Sequence, residues 1–232
     1  MKKWYLLVLV SFAWHADLSA QGGVFGPKFY LNGFAGYTFD ESFLGYYGEW
    51  KYKGNAHYGG SAEFVLEGAS TRYNERTIEL LYQGMSSDLV PNFPPGIGKP
   101  TNASMNVSYL TLGVNNYIGK SRKVMGFGGI AMGAAFLSGD ARINNTEQSA
   151  SATKFAINLK GGGRFMFSQN VGLKLYAQLN TIVGGVGGGF TFGTGGVGAG
   201  VSTYSSAVQF GLGGGLTFGL GAPKTAGPTP TN

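Results

Sequence analysis

An all-β chain, folded as an eight-stranded antiparallel up-and-down transmembrane barrel, is what this sequence predicts. Three observations carry that expectation. Apolar residues alternate with small or polar ones over eight separate segments, and alternate residues of a strand face opposite sides. Charged residues make up only 12% of the 232, about half the ~25% of an ordinary soluble domain, so little surface is suited to water. The connections between segments alternate short and long, as they do on the two sides of a membrane barrel.

The chain opens with Lys2 and Lys3, an apolar run from Trp4 to Trp14, then Leu18, Ser19 and Ala20. This reads as a secretory signal in residues 1–20, cut after Ala20. The apolar run falls well short of the roughly 20 residues that a spanning helix needs. The barrel domain is then expected over 21–221, with the proline-containing stretch 222–232 as a disordered periplasmic tail. With no cysteine, a disulfide framework, an acylated cysteine and a thiolate metal site are all excluded. Removing Lys2, Lys3 and Asp17 with the signal changes the formal charge from +6 to +5. That mild basicity suits lipid headgroups, and no basic run marks nucleic-acid binding.

The eight segments follow in order. The first, Lys28 to Phe39, sets Phe29, Leu31, Ala35, Tyr37 and Phe39 on one face. The second, near Gly59 to Gly68, sets Ala62, Phe64 and Leu66 against Glu63, Val65 and Glu67. After a polar turn at Ser70 to Asn74, the third sets Ile78, Leu80 and Tyr82 against Thr77, Glu79, Leu81 and Gln83. The fourth, Met105 to Ile118, puts Leu110, Leu112 and Val114 outward and Tyr109, Thr111, Asn115 and Tyr117 inward. A Gly119 to Lys123 turn leads into the fifth, Val124 to Leu137, whose glycines and alanines leave its faces ambiguous. The sixth, Lys154 to Phe167, opposes Phe155, Ile157, Leu159, Phe165 and Phe167 to Asn158, Lys160, Gly162 and Arg164. The seventh opposes Leu173, Leu175, Ala177 and Leu179 to Lys174, Tyr176, Gln178 and Asn180. In the eighth, Val208 to Leu220, apolar Val208, Phe210, Leu212, Leu216, Phe218 and Leu220 alternate with Gln209, Thr217 and glycines. Long connections are expected at 40–58, 84–104, 138–153 and 181–206. Pro91, Pro94, Pro95 and Pro100 disfavour ladder pairing in the second of these.

A signal, eight alternating strands and a closing strand with Phe210, Leu216 and Phe218 resemble the small outer-membrane β-barrel domain family of Gram-negative bacteria. That family includes the barrel domain of outer-membrane protein A, outer-membrane protein W and the opacity-type adhesins. The Tyr109-Leu-Thr-Leu-Gly-Val114 pattern, the Gly119-Lys-Ser-Arg-Lys123 turn and the glycine-rich strand after it look most like generic, porin-like members. The resemblance implies an outer-membrane location, outer-membrane lipid as solvent, and contact with the barrel-assembly machinery during insertion. Phe218 departs from the family pattern, being followed by fourteen residues. The family shares no active site, so no catalytic residue, cofactor or metal is implied.

Chemistry is concentrated on the inward faces. Glu63, Glu67 and Glu79 from the second and third segments and Lys160, Arg164 and Lys174 from the sixth and seventh are expected to meet across the interior. In an eight-strand ring the second strand faces the sixth and the third faces the seventh. Such barrels are just wide enough for side chains to fill, so a charged plug is the expected result, with a switchable ion gate as the sharper alternative. Gly126-Phe-Gly128-Gly-Ile-Ala131 matches a dinucleotide-loop spacing but lacks the parallel βαβ setting that the motif needs. The glycine run 184–200 lacks a phosphate-loop ending.

His57 is the only histidine after processing, and with Ser61 four residues on it is the one fragment compatible with rim catalysis; Glu63 shares that parity but is assigned to the ionic interior. The first long loop carries Phe43, Tyr46, Tyr47, Trp50, Tyr52 and Tyr58. These suit an interfacial girdle, and Tyr46, Tyr47, Trp50 and Tyr52 also suit a surface-binding loop. Asn102, Asn106 and Asn144, each opening an Asn-x-Ser/Thr triplet, read as polar loop or strand residues. The expected function is a monomeric, non-enzymatic barrel with a structural or surface-binding role. Narrow transport of small apolar molecules or ions is the alternative, and lipid-modifying catalysis comes third.

Overall fold

A computed structural model describes residues 27–45, 48–66, 69–70, 74–92, 101–143, 146–183, 189–191, 198–200 and 207–221. The expected signal 1–20 and tail 222–232 lie outside these. The strands are β1 (Phe29–Thr38), β2 (Glu41–Gly45), β3 (Gly48–Tyr52), β4 (Asn55–Val65), β5 (Asn74–Asn92) and β6 (Thr101–Ser121), then β7 (Val124–Ile143), β8 (Thr146–Met166), β9 (Val171–Val183), β10 (Gly189–Thr191), β11 (Gly198–Gly200) and β12 (Ala207–Leu220). Eight of them, β1, β4, β5, β6, β7, β8, β9 and β12, pair antiparallel in a closed ring. Closure leaves no unpaired edge in hydrocarbon, the condition for a sheet to cross a bilayer.

The registers show why this sequence closes. Starting at Phe29 and stepping from partner to partner around the ring gives Phe64, Ile78, Val114, Ile130, Leu159, Leu179 and Phe210. The last step returns to the first strand at Phe39, whose N–H donates to Phe210 O at 2.9 Å. Every residue on this path is apolar and faces out. The path climbs from Phe29 to Phe39, a stagger of ten residues, which tilts the strands as a closed barrel requires. On β7 the outward face runs from Val124 to Phe136 before turning polar. At ~3.3 Å per residue and a tilt of about 40°, that stretch covers roughly 30 Å of height, the thickness of a hydrocarbon core.

Above that height the pattern inverts. The outward face becomes Ser86 and Asp88 on β5, Asn106 and Ser104 on β6, Ser138 and Asp140 on β7, and Thr153 and Ser151 on β8. The inward face becomes Met85, Leu89, Met105, Val107 and Leu137. Apolar inside and polar outside is the order of a barrel standing in water. The expected connections 84–104 and 138–153 are therefore largely ladder: β5 runs on to Asn92, and β7 and β8 stay paired to Ile143 opposite Thr146. Pro91 sits at the very end of β5, opposite Trp50, where a missing N–H costs little.

The first connection is also mostly strand. β2–β3 keeps the register of β1–β4, so the two pairs form one long hairpin, kinked at Phe39–Asp40 and Lys53–Gly54. At the kink Gly54 N–H donates to Asp40 Oδ1 at 2.8 Å, and Lys51 Nζ lies 2.6 Å from Asp40 Oδ2. These contacts, Lys51 foremost, hold the Asp40 carboxyl below its usual range. The opposite end has tight turns: at Ser168–Asn170, the Ser168 hydroxyl accepts from Asn170 N–H at 3.2 Å and Val171 N–H at 3.0 Å. Gly221, at φ 69°, ends β12 in the left-handed region where glycine is favoured.

Candidate functional site: the filled barrel interior

A narrow barrel cannot accept large side chains from every wall. The inward face of β12 is accordingly Gly211, Gly213, Gly215 and Gly219 with Gln209 and Thr217. This bare wall receives groups from elsewhere: a Cβ on Gly213 would lie 2.5 Å from the Tyr176 ring, and on neighbouring β1 a Cβ on Gly36 would lie 2.5 Å from His57 Nε2. Gly213→Ala is therefore expected to displace Tyr176 from the wall and cost about 1–3 kcal/mol of overpacking. Urea unfolding of refolded protein measures this, with outward-facing Gly128→Ala, where a Cβ meets nothing within 4 Å, as the near-neutral control.

Against that wall lie three buried carboxylates and three buried cations. Glu63 accepts from Lys174 Nζ at 2.7 Å, Asn32 Nδ2 at 2.8 Å, Thr77 Oγ1 at 2.8 Å and Tyr117 OH at 2.7 Å. Glu79 is paired with Lys160 and accepts from Asn115 Nδ2 at 3.0 Å, and Lys174 Nζ lies 3.8 Å away. Glu75 accepts from Arg164 Nη1 at 2.8 Å, and Arg122, on the β6–β7 turn, approaches it to 3.3 Å. The Arg164 guanidinium lies between the Tyr30 and Tyr117 rings, 4.4 and 4.2 Å from their centroids, and Lys174 Nζ is 4.4 Å from that of Phe127. Each of the three buried cations thus has a carboxylate partner, while Arg164 Nε is left without a hydrogen-bond acceptor.

The structure brings together Glu63, Glu79, Lys160, Arg164 and Lys174, while Glu67 lies outside the described residues. The expected third-to-seventh-strand approach is present, Lys174 Nζ lying 3.8 Å from Glu79, but the tightest pairs are shorter chords: second-strand Glu63 meets seventh-strand Lys174, and third-strand Glu79 meets sixth-strand Lys160. Glu75, the partner of Arg164, is not among the expected charges because it directly follows the polar turn expected at Ser70 to Asn74. The signal was present, since Glu75 shares the parity of Thr77 and Glu79.

Above the charges lies a neutral polar layer: Gln178 Nε2 donates to Gln83 at 2.9 Å, Asn158 Nδ2 to Asn180 at 2.7 Å, and Tyr109 OH to Gln209 at 2.7 Å. A void of about 10 Å³, near the size of one water, lies among Asn32, Ser61, Glu79, Lys160, Lys174 and Gln178. Higher still, Met85, Leu89, Met105, Val107, Leu137 and Ile182 form a buried apolar cluster.

His57 is not on the rim. Its side chain is fully buried, with Nδ1 bonded to Thr38 Oγ1 at 3.0 Å and Nε2 to Tyr176 OH at 3.2 Å. Ser61 is bonded to Asn32 at 3.0 Å and Glu63 to the cluster above, so the three do not assemble a catalytic group. The inward parity of β4 carries His57 to the interior, just as the matching parity of β3 carries Tyr52 there. Tyr52 is 1% exposed, within the apolar cluster, which removes it from the expected surface-binding loop. Tyr46 and Tyr47, and the side chain of Trp50, lie outside what is described. Tyr58 faces out with Tyr37 and Tyr82 near the upper edge of the apolar belt, as girdle aromatics do. Gly126 and Gly128 face out on antiparallel β7, a setting with no helix for a dinucleotide.

No protein-family model matches the chain, and no curated protein is similar to it in sequence. Among solved structures it is similar to Neisserial surface protein A, at 11% identity and TM-score 0.46, covering 83% of this chain and 97% of that one. It is also similar to Ail, the attachment invasion locus protein of Yersinia pestis, at 10% identity and TM-score 0.40, covering 84% and 100%. The outer membrane protease OmpT of Escherichia coli gives 10% identity and TM-score 0.46, covering 86% and 99%. The fold assignment rests on the closed ladder itself.

Proposed function

We propose that this chain is a monomeric outer-membrane barrel that works at its outer surface, as a structural or binding protein, rather than through its interior or by catalysis. The filled interior supports this reading most: charges below, amides in the middle and an apolar core above, with space for about one water, some 10 Å³, beside the charges. The kinked β2–β3 hairpin and the upper halves of β5 to β8 give it a paired, outwardly polar platform beyond the membrane. Planar-bilayer recording tests it: wild-type protein should give no sustained conductance, and stable open channels would overturn it.

Transient ion passage is a second reading, favoured by one observation. Lys174 Nζ lies 2.7 Å from Glu63 and 3.8 Å from Glu79, so it has two acceptors between which to alternate. On that reading Glu79→Gln changes the frequency of brief openings.

A further inference from the structure

We propose that the outer wall of β6, β7 and β8, just above the apolar belt, binds the uncharged sugar head of a lipid. A surface concavity of about 450 Å³ opens there, lined by Asn106, Ser108, Phe136, Ser138, Ser151 and Thr153. The ladder explains its form. Ser86, Asn106, Ser138 and Ser151 are successive cross-strand partners, so four small polar side chains stand in a row about 4.8 Å apart and span roughly 14 Å.

Four residues lower along each strand, the row is Tyr82, Leu110, Ala134 and Phe155. Phe136 and Thr153 lie between the rows, and Ser108 Oγ accepts from Tyr82 OH at 3.4 Å. The upper lip therefore offers hydroxyl and amide groups, while the lower lip is aromatic and aliphatic, with Ala134 as a dip between Leu110 and Phe155.

This placement sets the chemistry of the occupant. A purely apolar chain would leave the hydroxyl row unused, and a soluble sugar would leave the lower lip facing hydrocarbon. An amphiphile with its head on the row and a chain descending over Ala134 meets both. None of the lining residues is charged, so they offer no counter-ion to a phosphate. They suit a polyhydroxylic head, which both donates and accepts hydrogen bonds. Ser108, Ser138, Ser151 and Thr153 are small, which leaves room for a ring against the sheet beside Phe136.

The mature chain, reconstituted in phosphatidylcholine nanodiscs with equal amounts of digalactosyl diacylglycerol and phosphatidylglycerol, tests the assignment by native mass spectrometry of retained lipid. Wild type should retain the galactolipid over phosphatidylglycerol by about tenfold, the value of one or two net hydrogen bonds. Ser138→Trp, which fills the concavity, should bring the ratio near one. The paired change Asn106→Ala with Ser151→Ala, which removes donors without adding bulk, should do the same and serves if the tryptophan variant does not fold. A wild-type ratio near one, preferential retention of phosphatidylglycerol, or a ratio unchanged in the folded variants would overturn the proposal. A conducting barrel that still retained the galactolipid would contradict the proposed function alone.

Discussion

Glu63→Ala is expected to destabilise the barrel by about 3–5 kcal/mol, the usual consequence of removing one partner from a buried ion pair. The deletion does more than lose Lys174, whose Nζ is 2.7 Å away, because Asn32, Thr77 and Tyr117 also donate to this carboxylate. The double variant Glu63→Leu with Lys174→Met should recover much of the loss, since an apolar pair leaves no stranded charge. Arg164→Ala should cost less than Glu63→Ala, because Arg122 still lies 3.3 Å from Glu75. Urea titration of the refolded protein in lipid, followed by tryptophan fluorescence, gives all four values. Equal stability of wild type and Glu63→Ala would mean that the carboxylate is not the hub of the network.

Leu112→Arg carries the second large effect. Leu112 is 56% exposed near the middle of the apolar belt, where an arginine on the lipid face costs about 2–4 kcal/mol. Ser104→Arg, on the same outward face of β6 but above the belt, should be neutral within roughly 0.5 kcal/mol. The two substitutions share strand, face and chemistry and differ in height alone. Similar costs at both positions would place the lipid boundary elsewhere.

The contrast between those two positions also explains what was legible in the sequence. Where lipid is the outer solvent, alternation is easy to read: Phe210, Leu212, Leu216 and Phe218 against glycines, or Leu110, Leu112 and Val114 against Thr111 and Asn115, mark both strand and face. Above the belt the same strands continue with polarity reversed, so Met105 and Val107 point in while Asn106 and Ser108 point out. A rule that expects apolar residues outside ends the strand at the reversal, so the ladders beyond Gln83 and Leu137 read as connections. His57 and Tyr52 read as rim and loop residues on the same rule. The cations and two of their carboxylates were visible from parity, but their partners depend on the ten-residue stagger, which exists only once the ring is closed.

Depth profiling along the outward face of β7 tests the central claim most directly. The native chain has no cysteine, so single cysteines at Ile130, Met132, Ala134, Phe136, Ser138, Asp140 and Arg142 can each carry a nitroxide in a lipid bilayer. Oxygen should relax the labels from 130 through 136, with a water-soluble nickel chelate taking over from 138 through 142. A chelate that reaches 130–136, or oxygen dominance continuing through 142, would contradict a barrel whose polarity inverts at the outer edge of the membrane.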